Sequence, residues 1–235
     1  YLAFGDVYLE FGHTDVQGYR RWLDLDTATH HTEYHMGRAH YTREAFISAP
    51  ANALVLRLAA SRPGGLTFRA RIASSLQSRA QAQGDCLLLT GKAPEQDDPH
   101  YLHSENPIRY GEESMTFAAR LWVFPQGGSL TSQKDVLEVS AADEALLILV
   151  AATSFNGFDR SPIREGKDLL AITAATLSAL QSRLRGGPEA GFSALWQEHL
   201  AEYQPLFHRV TIHLGEGGTP DLPTDHRIAA FHETH

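Results

Sequence analysis

The sequence predicts a mainly β protein, with antiparallel sheets stacked over residues 1–160 and a short helical linker over 161–206. Short alternating segments separated by Gly and Pro fill the first two thirds of the chain. After Asn156 the apolar period changes from 2 to 3.6 residues. With 235 residues, 43% of them apolar, the chain can bury a full core without disulfides or metal clusters.

The strands are predicted from alternation between apolar and polar residues. The clearest one carries Leu66, Phe68, Ala70 and Ile72 on one face and polar residues between them. A hairpin is expected around Gly37, because glycine at the first central position suits a two-residue type II′ turn. The predicted strands are 8–11, 23–26, a hairpin over 29–46, a pair at 53–59 and 66–73, and 86–89, 115–124, 136–139 and 145–151.

Helical periodicity begins at Asp168 and continues to Leu184, where Gly186, Gly187 and Pro188 are expected to stop it. A second helical stripe covers 192–203, and Pro205 is expected to end it. A strand at 210–214, a loop at 215–223 and a third helix, capped by Thr224 or Asp225, follow. Because that helix has only about two turns before residue 235, we expect the chain to be the front portion of a longer protein.

Composition argues against several classes of partner. The net charge of −8 and the scattered basic residues disfavour a nucleic acid. The longest apolar stretch, 145–153, is too short to span a membrane. The single Cys86 excludes an internal disulfide and is interpreted as a buried, inert thiol. The compartment stays open, with a secreted or periplasmic location favoured.

The 29–46 hairpin concentrates histidine. The predicted register pairs His35 with His40, and places His31, Glu33, Thr42 and Glu44 on the same face. Such a face can hold a divalent metal or can be an ordinary solvated surface opposite a buried one. We favour the solvated surface and predict no metal, because spacing alone is weak support for a site. Asp97 and Asp98, followed by Pro99, offer carboxylates for calcium, but a turn is the preferred interpretation.

The segment 153–167 is the most informative stretch for function. It follows an apolar strand and combines two phenylalanines, an Asn-Gly pair and an Asp-Arg pair. Aromatic faces stack on sugar C–H groups, and Asn, Asp and Arg bond sugar hydroxyls. We therefore predict Asn156, Phe158, Asp159 and Arg160 as substrate-binding residues. The structural alternative is a connector in which Asp159 pairs with Arg160 or Arg164. No nucleophile, metalloprotease, P-loop or dinucleotide motif is found.

Several motifs resemble those of the bacterial glycoside hydrolase family that contains the inverting 1,2-α-L-fucosidases. They are YRRWLDLDTA at 19–28, YTREAF at 41–46, GLTF at 65–68, TSFNGFDRSP at 153–162, YQPLFHRV at 203–210 and LPTDHR at 222–227. The resemblance is collinear over nearly the whole chain.

The resemblance implies an antiparallel β super-sandwich and a helical linker that precede a catalytic (α/α)₆ barrel. It places the catalytic acid and base in that barrel, so no catalytic residue is predicted in this chain, and no cofactor. The implied partners are the barrel within the same protein and an oligosaccharide substrate. Two alternatives are an autonomous carbohydrate-binding β-sandwich and a His-rich metal-binding protein.

Overall fold

A computed structural model describes residues 2–184, 186–213 and 222–234. The strands are β1 Asp6–Phe11, β2 Gln17–Asp24, β3 Thr29–Met36, β4 Ala39–Ser48, β5 Ala53–Ala60, β6 Leu66–Ala73, β7 Gln77–Gln83, β8 Cys86–Lys92, β9 Gln96–Asp97, β10 Ile108–Arg109, β11 Thr116–Gln126, β12 Ser129–Gln133, β13 Val136–Ala142 and β14 Glu144–Thr153. The helices are α1 Leu169–Arg183, α2 Pro188–Phe207 and α3 Thr224–Thr234, with a 3₁₀ turn at His100–Leu102.

Two antiparallel sheets enclose the main core, as the alternation predicts. The smaller sheet has the order β1-β6-β13-β12, and the larger one has the order β2-β3-β4-β5-β14-β11-β8-β7. Phe68 and Leu137 from the small sheet meet Leu87, Leu121 and Leu147 from the large one, and none of the five is more than 2% exposed. Burial of large apolar side chains at about 25 cal/mol per Å² is the main stabilising contribution to such a sandwich.

The helices α1 and α2 cover the other face of the large sheet. Leu180 and Leu195 pack there against Val55, Trp122 and Leu146. Asp168 caps α1 by accepting a hydrogen bond from the amide of Ala171 at 3.0 Å. The linker is therefore packed onto the sandwich and shares a core with it. Within the described residues, no helix has the length and apolar character that a membrane span requires.

The predicted pairing of strands 53–59 and 66–73 is wrong. β5 lies between β4 and β14 in the large sheet, whereas β6 lies between β1 and β13 in the small one. The loop between them crosses from sheet to sheet and is held by the Asp143 carboxylate, which accepts from the amide of Gly64 at 2.7 Å. Alternation shows that each strand has one buried face, but it cannot distinguish neighbours within a sheet from strands that face each other across the core.

Several boundaries also differ from the predicted ones, and β2 begins at Gln17 where the strand was predicted from residue 23. β2 ends at Asp24, whose carboxylate accepts from the amide of Asp26 at 2.9 Å and so forms a turn. Pro205 does not end α2, which continues to Phe207, because its ring removes only one hydrogen bond of the last turns. Residues 210–213 form no strand and pair with no described residue in a sheet, while position 214 and the loop 215–221 lie outside the described residues.

The strands β7 and β12 and the two-residue pair of β9 with β10 were not predicted. Both β7 and β12 are polar strands at a sheet edge. Because an edge strand needs few apolar side chains, hydrophobic periodicity does not mark it. The predicted third helix is present as α3.

Candidate functional site at one end of the large sheet

Two chain segments leave the large sheet at the same end. The register pairs Thr116 with Lys92 and Phe117 with Thr153, so the end of β8, the start of β11 and the end of β14 are adjacent. The segments 93–115 and 154–168 therefore emerge side by side. We call them together the end surface.

Hydrogen bonds and an ion pair join the segment 154–168 to the start of β11 and to the segment 93–115. Ser154 and Thr116 are linked twice, through the Ser154 amide to the Thr116 carbonyl and the Thr116 amide to the Ser154 hydroxyl, both at 2.9 Å. Ser161 donates its hydroxyl to the Glu113 carboxylate at 2.5 Å, and Arg164 Nη2 lies 3.2 Å from Glu113 Oε1. Glu113 is in turn held by the Glu95 carboxylate, which accepts from its amide.

The segment 154–168 is also braced internally. The Asn156 side-chain amide donates to the Glu165 carbonyl at 3.0 Å, and Lys167 Nζ donates to the Phe155 carbonyl at 2.7 Å. Ser161 Oγ accepts from the Arg164 amide at 3.0 Å and so forms a turn. The loop has no strand or helix, yet polar contacts specify its conformation at both ends.

The four predicted substrate-binding residues divide into two pairs. Asn156 is used to brace the loop, and Arg160 Nε lies 3.8 Å from the Glu165 carboxylate. Phe158, by contrast, is 98% exposed. Asp159 is exposed and makes no ion pair or side-chain hydrogen bond with any described residue. The structure thus presents Phe158 and Asp159 outward on a braced loop.

The structural alternative for this loop predicted that Asp159 pairs with Arg160 or Arg164, and that pairing is wrong. Arg160 pairs with Glu165 and Arg164 pairs with Glu113, so Asp159 pairs with neither arginine. Sequence reasoning missed Glu113 and Glu165, which do the bracing. Glu113 lies far from the loop in sequence, and no local signal marks it.

Apolar side chains are exposed across the end surface. Besides Phe158, the large apolar side chains that are exposed on the two segments are those of Tyr101, Leu102, Ile108, Phe155 and Ile163. Exposed apolar residues are ordinary one at a time, but a concentration of them at one place is typical of an interaction surface.

The calcium interpretation of residues 97–101 finds little support. The Asp98 carboxylate accepts from the Gln96 side chain at 2.5 Å and from the Ser104 hydroxyl at 2.7 Å. The hydrogen bond from Gln96, and secondly that from Ser104, lower the pKa of the Asp98 carboxyl group. The segment forms the predicted turn, with a 3₁₀ turn after Pro99.

The histidine hairpin has the predicted register. His35 pairs with His40, and their rings stack with centroids 4.6 Å apart. His31 lies 3.6 Å from the Glu44 carboxylate, and His40 lies 3.7 Å from that of Glu33. In the part of the chain that the structure describes, no group of three or more His, Cys, Asp or Glu is arranged to hold a metal. The opposite face was predicted to be buried with Thr32, Tyr34, Met36, Ala39 and Tyr41. Four of these side chains are buried, and Met36 is half-buried.

This chain is similar to known proteins at the level of family and of sequence. A family model described as "Glycosyl hydrolase family 65, N-terminal domain" matches residues 1–157. Over 98% of its length the chain is similar to "Alpha-L-fucosidase 2" of Arabidopsis thaliana, with 31% identity over 248 residues. It is similar over the same share to "Probable alpha-fucosidase A" of Aspergillus niger, with 26% identity over 247 residues.

The chain covers 29% and 28% of those two proteins, which is less than a third of their length. Among solved structures, "Putative kojibiose phosphorylase from human microbiome" matches 86% of this chain and 27% of its own, with 9% identity and a TM-score of 0.45.

Proposed function

The chain belongs to the family described as glycosyl hydrolase family 65, N-terminal domain, and on that premise we propose that it is the non-catalytic front portion of a longer α-L-fucosidase. In this proposal the sandwich and its linker precede a catalytic barrel that hydrolyses terminal α-L-fucosides with inversion. The observation that carries the proposal is the 31% identity to the Arabidopsis protein named "Alpha-L-fucosidase 2" over 98% of the chain.

The catalytic groups belong to the barrel in this proposal. Inverting glycosidases need an acid and a base on opposite sides of the sugar, about 6.5–9.5 Å apart. The chain by itself is expected to release no fucose from 2′-fucosyllactose. Release at a rate that contamination does not explain would contradict the proposal.

The end surface supports a position against the barrel. Its exposed apolar residues suit a protein interface, and the braced loop holds Phe158 and Asp159 outward. In the proposed enzyme, Phe158 packs against the apolar face of the sugar and Asp159 accepts a hydrogen bond from a sugar hydroxyl. Side chains held by a rigid frame lose little conformational entropy when they bind.

The test uses the longer protein with 2′-fucosyllactose as substrate. Asp159→Ala should lower kcat/KM at least ten-fold, which is about 1.4 kcal/mol of transition-state stabilisation, with an unchanged melting temperature. Asp135→Ala is the matched control, because Asp135 is also exposed but lies in the turn between β12 and β13. Equal kcat/KM for both variants and the unaltered protein would reject the role of Asp159.

A second measurement tests the stereochemistry. Proton NMR of the first released fucose should show the β anomer if the enzyme inverts an α linkage. Release of the α anomer would contradict inversion but would leave the fucosidase assignment standing. Absence of any fucose release by the longer protein would reject the fucosidase assignment itself.

A further inference from the structure

A cleft of about 590 Å³ lies beside the start of α1, and neither Phe158 nor Asp159 lines it. Its floor is made by three residues from each of the strands β7, β8 and β11. Its wall is made by residues 167–170, where the chain enters α1. Volumes of this order are typical of sites for small organic ligands and far exceed the space that a single ion needs.

The strand register explains why the polar side chains of the floor converge. Lys92 of β8 is paired with Gln77 of β7 on one side and with Thr116 of β11 on the other. Two residues away along the strands, Arg79 of β7 is paired with Thr90 of β8. Directly paired residues, and residues two apart on one strand, share a face of a sheet. These five side chains therefore share one face of the large sheet.

That face is the one covered by α1. Arg120 lies two residues beyond Ala118 on β11 and donates to the Thr173 hydroxyl of α1 at 3.3 Å. The odd-numbered neighbours Phe117 and Ala119 belong instead to the core between the sheets. The cleft is therefore the part of the outer face that α1 leaves open at the β7 edge.

The charge of the cleft is opposite to that of the whole chain. The chain has a net charge of −8, yet the cleft contains the cations of Arg79, Lys92 and Lys167. None of the three forms an ion pair with any residue that the structure describes. Among the lining residues the one carboxylate is that of Asp168, and it already accepts a hydrogen bond from the Ala171 amide.

The positions of the lysines are partly specified. Lys167 Nζ donates to the Phe155 carbonyl at 2.7 Å, and Lys92 Nζ lies 5.9 Å from the centre of the Tyr110 ring. Each lysine can bind an anion without giving up a carboxylate partner. Three cations around one cleft create a local positive potential that attracts an oxyanion.

We propose that this cleft binds an acidic saccharide through its carboxylate or sulfate group. Arg79 and Lys92 bind the oxyanion, and Lys167 adds charge from the opposite wall. Thr90, Thr116 and Gln77 offer hydrogen bonds to ring hydroxyls, and the apolar side chains of Leu169 and Leu170 suit the C–H face of a sugar ring. The choice of a saccharide as the carrier of the anion rests on the proposed function, whereas the choice of an anion rests on the charges alone.

The experiment compares three disaccharides with the same backbone by isothermal titration of the 235-residue chain. They are cellobiouronic acid, which carries a carboxylate, cellobiose 6-sulfate, and neutral cellobiose. At 20 mM NaCl at least one acidic sugar should bind ten-fold or more tightly than cellobiose, and 300 mM NaCl should weaken that binding. Binding by one acidic sugar and not the other identifies the oxyanion. Equal binding of all three sugars, or binding of none, would overturn the proposal.

Variants locate the site. Arg79→Gln/Lys92→Gln should reduce the affinity for the acidic sugar at least ten-fold. Arg38→Gln/Arg62→Gln removes the same charge from two exposed positions outside the cleft, in the β3–β4 and β5–β6 connections, and should leave the affinity unchanged. Equal losses in the two double variants would reject the cleft as the site. If the first variant failed to fold, as judged by circular dichroism, the comparison of acidic and neutral sugars with the unaltered chain would still decide whether an anion is recognised.

This test is independent of the fucosidase assay. Failure of the longer protein to release fucose would reject the proposed function while anion binding to the chain stood. Loss of anion selectivity would reject the cleft proposal while the fucosidase assignment stood.

Discussion

Arg164 Nη2 lies 3.2 Å from Glu113 Oε1 and so joins the loop 154–168 to the segment that precedes β11. The same carboxylate accepts the Ser161 hydroxyl at 2.5 Å. One side chain from a distant part of the sequence therefore sets the position of the loop that presents Phe158 and Asp159.

Glu113→Gln should loosen this loop more than it destabilises the protein. The ion pair is substantially exposed, and exposed pairs contribute about 0–1 kcal/mol. The melting temperature should fall by no more than about 4 °C, while hydrogen exchange of the amides at 161–166 should become faster. Glu112→Gln, at an exposed neighbouring position, is the control. Equal exchange rates in both variants would show that Glu113 does not brace the loop.

Leu195→Ala should destabilise the sandwich and the linker together. Leu195 is fully buried against the outer face of the large sheet, so its truncation leaves a cavity that costs about 2–5 kcal/mol. Leu206→Ala on the same helix, where the side chain is 46% exposed, should cost far less. Urea unfolding followed by tryptophan fluorescence measures both. Separate transitions for sandwich and helices would contradict a shared core.

Cys86 should be unreactive in the folded chain. Burial raises the pKa of its thiol to about 11, so at pH 8 very little thiolate is present. Ellman's reagent should label the native protein slowly at pH 8 and rapidly after addition of 6 M guanidinium. Rapid labelling of the native protein would show that the thiol is accessible and ionised.

His13 should make the fold sensitive to acid. Burial, and secondly the Arg43 charge, lower its pKa in the folded state, and its Nδ1 lies 2.8 Å from the Tyr34 hydroxyl. Well above pH 6.5 the imidazole is neutral in both states and has no effect on the pH dependence of stability. Below that value the unfolded chain binds the proton more readily than the folded one, so stability falls.

The variant His13→Asn tests this because its amide cannot titrate. As the pH is lowered from 6.5 to 5, the free energy of unfolding should fall more for the original chain than for the variant. A constant difference over that range would assign the acid sensitivity to other groups.

Local pattern predicted much of the fold. The change of period near residue 156 separates strands from helices, and Gly37, with a φ of +61°, allows the two-residue turn that determines the hairpin register. Once that register is known, alternation assigns Tyr34 and Tyr41 to the buried face. The stop at Gly186 and Gly187 and the cap at Asp168 are also local signals. For this reason the predicted bounds of α1 differ from the observed ones by only one residue at each end.

The candidate site was predicted less completely. The sequence marked the loop, because an apolar strand that runs into a polar and aromatic segment is visible in one window. It did not distinguish Asn156 and Arg160, which brace the loop, from Phe158 and Asp159, which are presented outward. That distinction depends on Glu165, which contacts both Asn156 and Arg160, and a window of sequence does not show which charges meet.

The sequence by itself determined most of the apolar strands, the helices α1 to α3, the buried face of each amphipathic strand and the position of the loop, because these depend on side-chain periodicity and on the φ angles that Gly, Pro and Asp permit. Only the tertiary structure decided that β5 and β6 lie in different sheets, that Glu113 binds Arg164, and that Arg79, Lys92 and Lys167 share one cleft. Such contacts arise from which apolar faces pack together over the whole chain, and that choice brings together charged side chains that are distant in sequence.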